Sequence, residues 1–138
     1  MIKILIIEDE EPIRRVLVRI LTDVDKTYEV EEAADGKEGL ALLGKHNFDL
    51  VLCDIKMPKM DGIEVLQAAN TKKIGIPFIM LTGHGNVETA VEAMKLGAYD
   101  FISKPPDLNR LLTAVRHALE NKSLRSENKK LKRKVAQK

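Results

Sequence analysis

Five short apolar runs recur at regular spacing: Lys3 to Ile7, Tyr28 to Ala33, Leu50 to Cys53, Phe78 to Leu81 and Tyr99 to Ile102. Three are nearly all apolar, as expected of strands covered on both faces. Tyr28 to Ala33 alternates with Glu and reads as an edge. Helical patterns fill the intervals. Ile13, Val16, Leu17, Ile20, Leu21 and Val24 fall on one helix face, and Pro12 suits its first turn. Leu40 and Leu43, Ile63 and Leu66, and Val87, Ala90, Val91 and Met94 mark three shorter helices. Asp107 can cap a fifth, with Leu108, Leu111, Leu112, Val115 and Leu119 on its buried face. Strand then helix, five times, predicts an α/β fold: a parallel sheet, doubly wound, with helices on both faces.

A chain of 138 residues, 44 % hydrophobic, is the size of one domain with its own core. Its one cysteine cannot form an internal disulfide, which points to a cytoplasmic location. No apolar stretch approaches a signal-peptide core or a membrane span. No Cys/His cluster has zinc-ligand spacing. The formal charge of +2 hides an asymmetry. Residues 121–138 hold eight basic residues and one acid, a net +7, which leaves −5 on the first 120. We therefore divide the chain into a globular domain, 1–120, and a basic helical segment, 121–138.

Ligands of doubly wound sheets bind at the carboxyl ends of the strands, where strand order reverses. After the first run stand Glu8, Asp9, Glu10 and Glu11. Asp54 follows the third, Thr82 the fourth and Lys104 the fifth. The second run ends in Ala34-Asp35 and offers less. Glu8, Asp9 and Asp54 would repel one another unless a cation intervenes. A hard divalent ion, Mg²⁺ or Mn²⁺, fits such oxygen ligands. With Lys104 as a fixed positive charge and Thr82 as a hydroxyl donor, the set suits phosphoryl transfer to Asp54 as the nucleophile. Glu10 and Glu11 read as first-turn helix residues favourable to the macrodipole. Cys53 reads as inert core, and His46 and His117 as surface residues.

Those residues carry a family resemblance. Ile4-Leu5-Ile6-Ile7-Glu8-Asp9, Asp54-Ile55-Lys56-Met57-Pro58 with Asp61-Gly62, Leu81-Thr82-Gly83, and Gly97 to Pro105 (GAYDFISKP) stand in the order found in receiver domains of two-component response regulators. The chain resembles that family over about residues 1–120. The resemblance implies a flavodoxin-like (βα)5 fold with strand order 2-1-3-4-5. It implies that Asp54 is the phosphoacceptor for a sensor histidine kinase, and that Asp9, Asp54 and the Lys56 carbonyl hold the metal. Glu8 stands where Asp is commoner, which favours contact with the metal through water. Thr82 and Phe101 match the switch pair, Lys104 the phosphate-contacting lysine, and Lys104–Pro105 a bond that is usually cis. Such a chain is not an enzyme beyond its own phosphotransfer and autodephosphorylation. His84, two residues past Thr82, and Lys56 are expected to tune hydrolysis of the phosphoryl group.

The fifth helix has no stop signal. His117, Asn121, Leu124, Asn128, Leu131 and Val135 fall at spacings of four and three, a coiled-coil seam. The dimer seam is read as Leu124, Asn128, Leu131 and Val135. The expected homodimer uses the face of the fourth helix, fifth strand and fifth helix together with this C-terminal helix. No aromatic residue interleaves the tail's basic residues, and no helix-turn-helix follows, so neither nucleic acid nor membrane is an expected partner. Gly83 to Asn86, Ala93 to Phe101 and Ala118 to Asn121 are similar to receivers of the nitrogen-regulation type. There a coiled linker leads to an AAA+ ATPase and a DNA-binding domain, so a transcription-regulating output is expected beyond Lys138. The alternatives are a stand-alone receiver or a phosphate-independent interaction scaffold. An aspartyl phosphatase of the dehalogenase-like class would need Asp where Lys56 stands. A flavin module would not place Glu8 to Glu11 beside a phosphate.

Overall fold

A computed structural model describes residues 1–83 and 87–121 of the chain. Its elements are β1 (Ile2–Ile7), α1 (Glu11–Val24), β2 (Tyr28–Ala33), α2 (Gly36–Lys45), β3 (Leu50–Asp54), α3 (Gly62–Thr71), β4 (Phe78–Thr82), α4 (Val87–Lys95) and β5 (Asp100–Ser103). A further helix, α5, occupies 108–121. All strand pairs are parallel, and the order is β2-β1-β3-β4-β5. The alternating strand β2 is an edge, as its glutamates require. Strand order reverses between β1 and β3, so their carboxyl ends flank the crevice.

Strand period assigns the core to two layers. Leu5, Ile7, Val51, Cys53, Phe78 and Met80 pack under α2, α3 and α4 against Leu43, Val65, Leu66, Ala69 and Ala93. Ile4, Ile6, Leu50, Leu52, Ile79 and Leu81 pack under α1 and α5 against Leu17, Leu21, Leu111, Ala114, Val115 and Ala118. Each fully buried aliphatic contributes roughly 1.5–3 kcal/mol relative to exposure. Helix starts are chemically marked. Asp35 accepts from the Glu38 amide at 2.8 Å and Asp107 from the Arg110 amide at 3.1 Å, while Asp61 and Glu64 form a capping box.

The predicted helix faces need correction at their margins. Only Leu17 and Leu21 are fully buried on α1; Val16 and Val24 are 54 % and 51 % exposed. Val16 lies a quarter-turn off the Leu17–Leu21 line, and Val24 is the last residue of the helix. On α4 the sheet-facing positions are the small residues Ala90 and Ala93. Val87, Val91 and Met94, at i, i+4 and i+7, face outward. Leu108, in the first turn of α5, is also exposed, and Leu111 begins the buried stripe. No helix among the described residues is long and apolar enough to cross a membrane.

Candidate functional site

β3 delivers Asp54 and β1 runs into Glu8, both essentially buried at the same sheet edge. Two buried carboxylates there require a counter-charge. Lys104, just past β5, supplies it. Its ammonium lies 2.8 and 3.1 Å from the two Glu8 oxygens and 2.9 Å from Asp54 Oδ2. Backbone bonds fix the strand ends that carry these groups. The Ile55 amide donates to the Leu81 carbonyl at 3.0 Å, Lys104 to Thr82 at 2.8 Å, and Glu8 to Ala33 at 3.1 Å. The Lys104–Pro105 peptide is cis, as the resemblance implies. Thr82, the last residue of β4, is 3 % exposed.

The electrostatics follow from this crowding. Burial is the main cause that pushes the Glu8 carboxyl up to about 8. The Lys104 hydrogen bond draws it down, and the neighbouring Asp54 pushes it further up. Burial disfavours the charged form of Lys104, but its hydrogen bonds to Glu8 and Asp54, with their charges, leave its pKa raised. Cys53 is fully buried beside Asp54. Burial, reinforced by Asp54, Glu8 and Asp61, holds its thiol protonated and unreactive.

The residues fit a hard divalent ion. Carboxylate oxygens of Glu8, Asp9 and Glu10 lie within 4.8 Å of one another. Asp9 Oδ1 is buried and has no hydrogen-bond partner. An acceptor left bare in an all-oxygen cluster is matched by a small hard cation. Glu8 accepts from Lys104 at both of its oxygens.

Glu8, Asp54 and Lys104 are thus in direct contact, with Thr82 buried at the end of the next strand. Asp9 is half-buried beside them. Lys56 is exposed in the segment after β3, where it lines a cleft with Met57, Asp61 and Thr89. Phe101 is half-buried in β5 against the α2–α4 layer. His84, Leu124, Asn128, Leu131 and Val135 lie outside the described residues.

Three residues have surroundings the sequence reading did not give them. Glu10 is the N-cap position of α1, yet its side chain makes no cap hydrogen bond and its carboxylate joins the acidic cluster. Four consecutive acids before Pro12, more than a helix start needs, are the available signal. Arg14 bonds both Glu32 and the Glu8 carbonyl; nothing in its spacing marks it. Gly62 lets α3 begin against the end of β3, because a Cβ there would collide with the Asp54 carbonyl and meet Ile55 Cα at 2.8 Å.

Fold and site together define a class: a doubly wound α/β domain whose buried carboxylates at the strand ends are bridged by one lysine. Residues 4–116 match the response regulator receiver domain, and the chain belongs to that family, the phosphorylation-dependent signalling domains of two-component systems. It is 39 % identical over 131 residues to the nitrogen assimilation regulatory protein NtrX of Azorhizobium caulinodans, covering 94 % of this chain and 28 % of that protein. Against the regulatory protein AtoC of Escherichia coli it is 38 % identical over 125 residues, 91 % of this chain and 27 % of AtoC. It therefore spans less than a third of the length of these curated relatives. A crystal structure of NtrX from Brucella abortus superposes with a TM-score of 0.88 at 36 % identity, over 95 % of this chain and 30 % of that one. A receiver domain protein from Clostridium thermocellum superposes with a TM-score of 0.83 at 33 % identity, over 90 % and 98 % of the two chains. Receiver domains of this family generally bind Mg²⁺ through an acidic pocket.

Proposed function

We propose that the chain is a phosphorylation-operated switch in which Asp54 accepts a phosphoryl group from a phosphohistidine of a sensor histidine kinase. The observation that carries this reading is Lys104 held at 2.9 Å from a nearly buried Asp54. An Asp54 oxygen attacks phosphorus, the phosphorus–nitrogen bond breaks, and the electron pair leaves on the imidazole, which is protonated from solvent. Lys104 exchanges its carboxylate partners for a phosphoryl oxygen and neutralises it. Glu8 holds Lys104 in place before transfer. Asp9, Asp54 and the Lys56 carbonyl, with Glu8 through water, would hold Mg²⁺ or Mn²⁺, which would supply further neutralisation of the phosphoryl oxygens. Hydrolysis later returns the Asp54 carboxylate and inorganic phosphate, with Lys56 and His84 governing the approach of water.

Two surfaces support the input and output of such a switch. An apolar groove lined by Pro12, Ile13, Val16, Pro105 and Pro106 opens beside Lys104, so a docked kinase would bring its phosphohistidine to Asp54. On the other flank, Thr82 moves toward the new phosphoryl group and Phe101 follows, which changes the α4–β5–α5 face. The exposed Val87, Val91, Met94 and Leu108 give that face apolar surface for a second copy of the chain. The seam at Leu124, Asn128, Leu131 and Val135 would extend the dimer. Transcription regulation by a following output domain is the corresponding reading for the whole protein.

Intact mass after incubation with acetyl phosphate and Mg²⁺ tests the proposal. One added phosphoryl group, absent in Asp54→Asn, is expected. No adduct on a folded chain, even with beryllofluoride failing to bind, would leave the scaffold reading in its place.

A further inference from the structure

We infer that Arg14 is a positioning residue for the divalent-ion site. The inference rests on the ion-binding part of the proposed function. Arg14 lies in the first turns of α1, its side chain 16 % exposed. It donates through Nη1 to the Glu8 carbonyl at 2.9 Å and through Nε to Glu32 Oε1 at 3.1 Å. Glu32 is on β2, in register with Ile6 of β1. The guanidinium therefore ties the end of β1 to the edge strand.

The Glu8 carbonyl is half of a planar peptide whose other half is the Asp9 amide, so fixing that oxygen sets where the Asp9 Cα and carboxylate can lie. The remaining attachments of Glu8 are already made. Its amide donates to Ala33 at 3.1 Å, and its carboxylate takes both bonds from Lys104. Arg14 completes the set from the other side of the peptide. The group so aimed is Asp9, whose Oδ1 is buried without a partner. A charge-assisted bond to a buried residue's carbonyl is among the stronger anchors available to a loop. Its planar fork reaches two acceptors at once, which an ammonium cannot reproduce.

Charge and geometry predict opposite signs, which makes the role testable. Removing a cation beside an acidic cluster raises the attraction for a metal ion by simple Coulomb reasoning. Releasing the Glu8–Asp9 peptide lowers it, because the ligand must then be ordered on binding. The full chain is titrated with Mn²⁺ alone, without phosphodonor, and free Mn²⁺ is read by its electron paramagnetic resonance signal. Arg14→Ala is expected to weaken Mn²⁺ binding on the order of ten-fold, the usual range for residues that orient a metal ligand. Arg14→Lys keeps the charge and should also weaken it, by less. It serves as the test variant if Arg14→Ala does not fold. Arg15→Ala is the control. Arg15 carries the same charge one residue away but pairs on the surface with Glu11 at 2.6 Å, and its loss should leave binding unchanged or slightly tighter. Unchanged or tighter binding in the folded Arg14 variants would overturn the positioning role while the ion site stands. Failure of the unaltered chain to bind Mn²⁺ would overturn the ion site and the role of Arg14 with it.

Discussion

Glu8→Gln should stabilise the ion-free protein above pH 8 and leave it nearly unchanged near pH 5. Glu8 has no exposed surface, and burial, moderated by Lys104 and reinforced by Asp54, raises its pKa from 4.5 to about 8. The folded state therefore holds a proton that the unfolded chain releases between those values. Stability falls as pH rises through that window. At 1.36 kcal/mol for each pH unit the loss is bounded at roughly 5 kcal/mol. Relaxation and water entry around an ionised Glu8 offset part of this, so about 2–3 kcal/mol is the expected loss by about pH 8.5. Gln has the shape of the protonated acid. It can accept from Lys104 and donate to Asp54 without a charge to bury. For a domain of this size the gain corresponds to roughly 6–12 °C in melting temperature. Thermal melts followed by circular dichroism in chelator, at about pH 5 and about pH 8.5, measure it. Parallel losses in both proteins, or a variant less stable at the higher pH, would refute the view of Glu8 as a buried carboxylate that ionises reluctantly.

Other substitutions separate the remaining parts of the account. Gly62→Ala forces a Cβ against the Asp54 carbonyl; chemical denaturation should show a loss of about 1–3 kcal/mol, with slower acetyl-phosphate labelling at temperatures where the variant is folded. Thr82→Ala should still be labelled on Asp54, but light scattering should no longer detect a change of association on labelling, since the proposed coupling of the phosphoryl group to Phe101 runs through this buried hydroxyl. Val16→Asp places a charge on an exposed position of the apolar groove; transfer from the kinase should slow about ten-fold, while labelling by acetyl phosphate should be unaffected. Equal slowing with both donors would remove the groove from the kinase contact.

The sheet was legible because each strand states its own environment. Leu50 to Cys53 and Phe78 to Leu81 have no polar face, so they are central, whereas Glu29, Glu31 and Glu32 confine β2 to an edge. The site was legible because strand ends are fixed points: once the strands are placed, Glu8, Asp9, Asp54, Thr82 and Lys104 share one edge of the sheet. Helix faces were less so. The apolar period on α4 marks a helix but not which side meets the sheet, and close packing selects Ala90 and Ala93 over the larger Val91 and Met94. Arg14 and Gly62 were not assigned their roles from sequence. One acts through a carbonyl and the other through a missing atom, and neither leaves a pattern in spacing.

Phosphate carried on the Asp54 carboxylate would be an acyl phosphate. Borohydride reduces an acyl phosphate to an alcohol and so converts a phosphorylated aspartate to homoserine. Peptide mapping after labelling and reduction should find homoserine at position 54 and aspartate or glutamate intact at positions 8, 9 and 10. Homoserine at Asp9, or an unreduced Asp54 in a chain that has gained a phosphoryl group, would contradict the account.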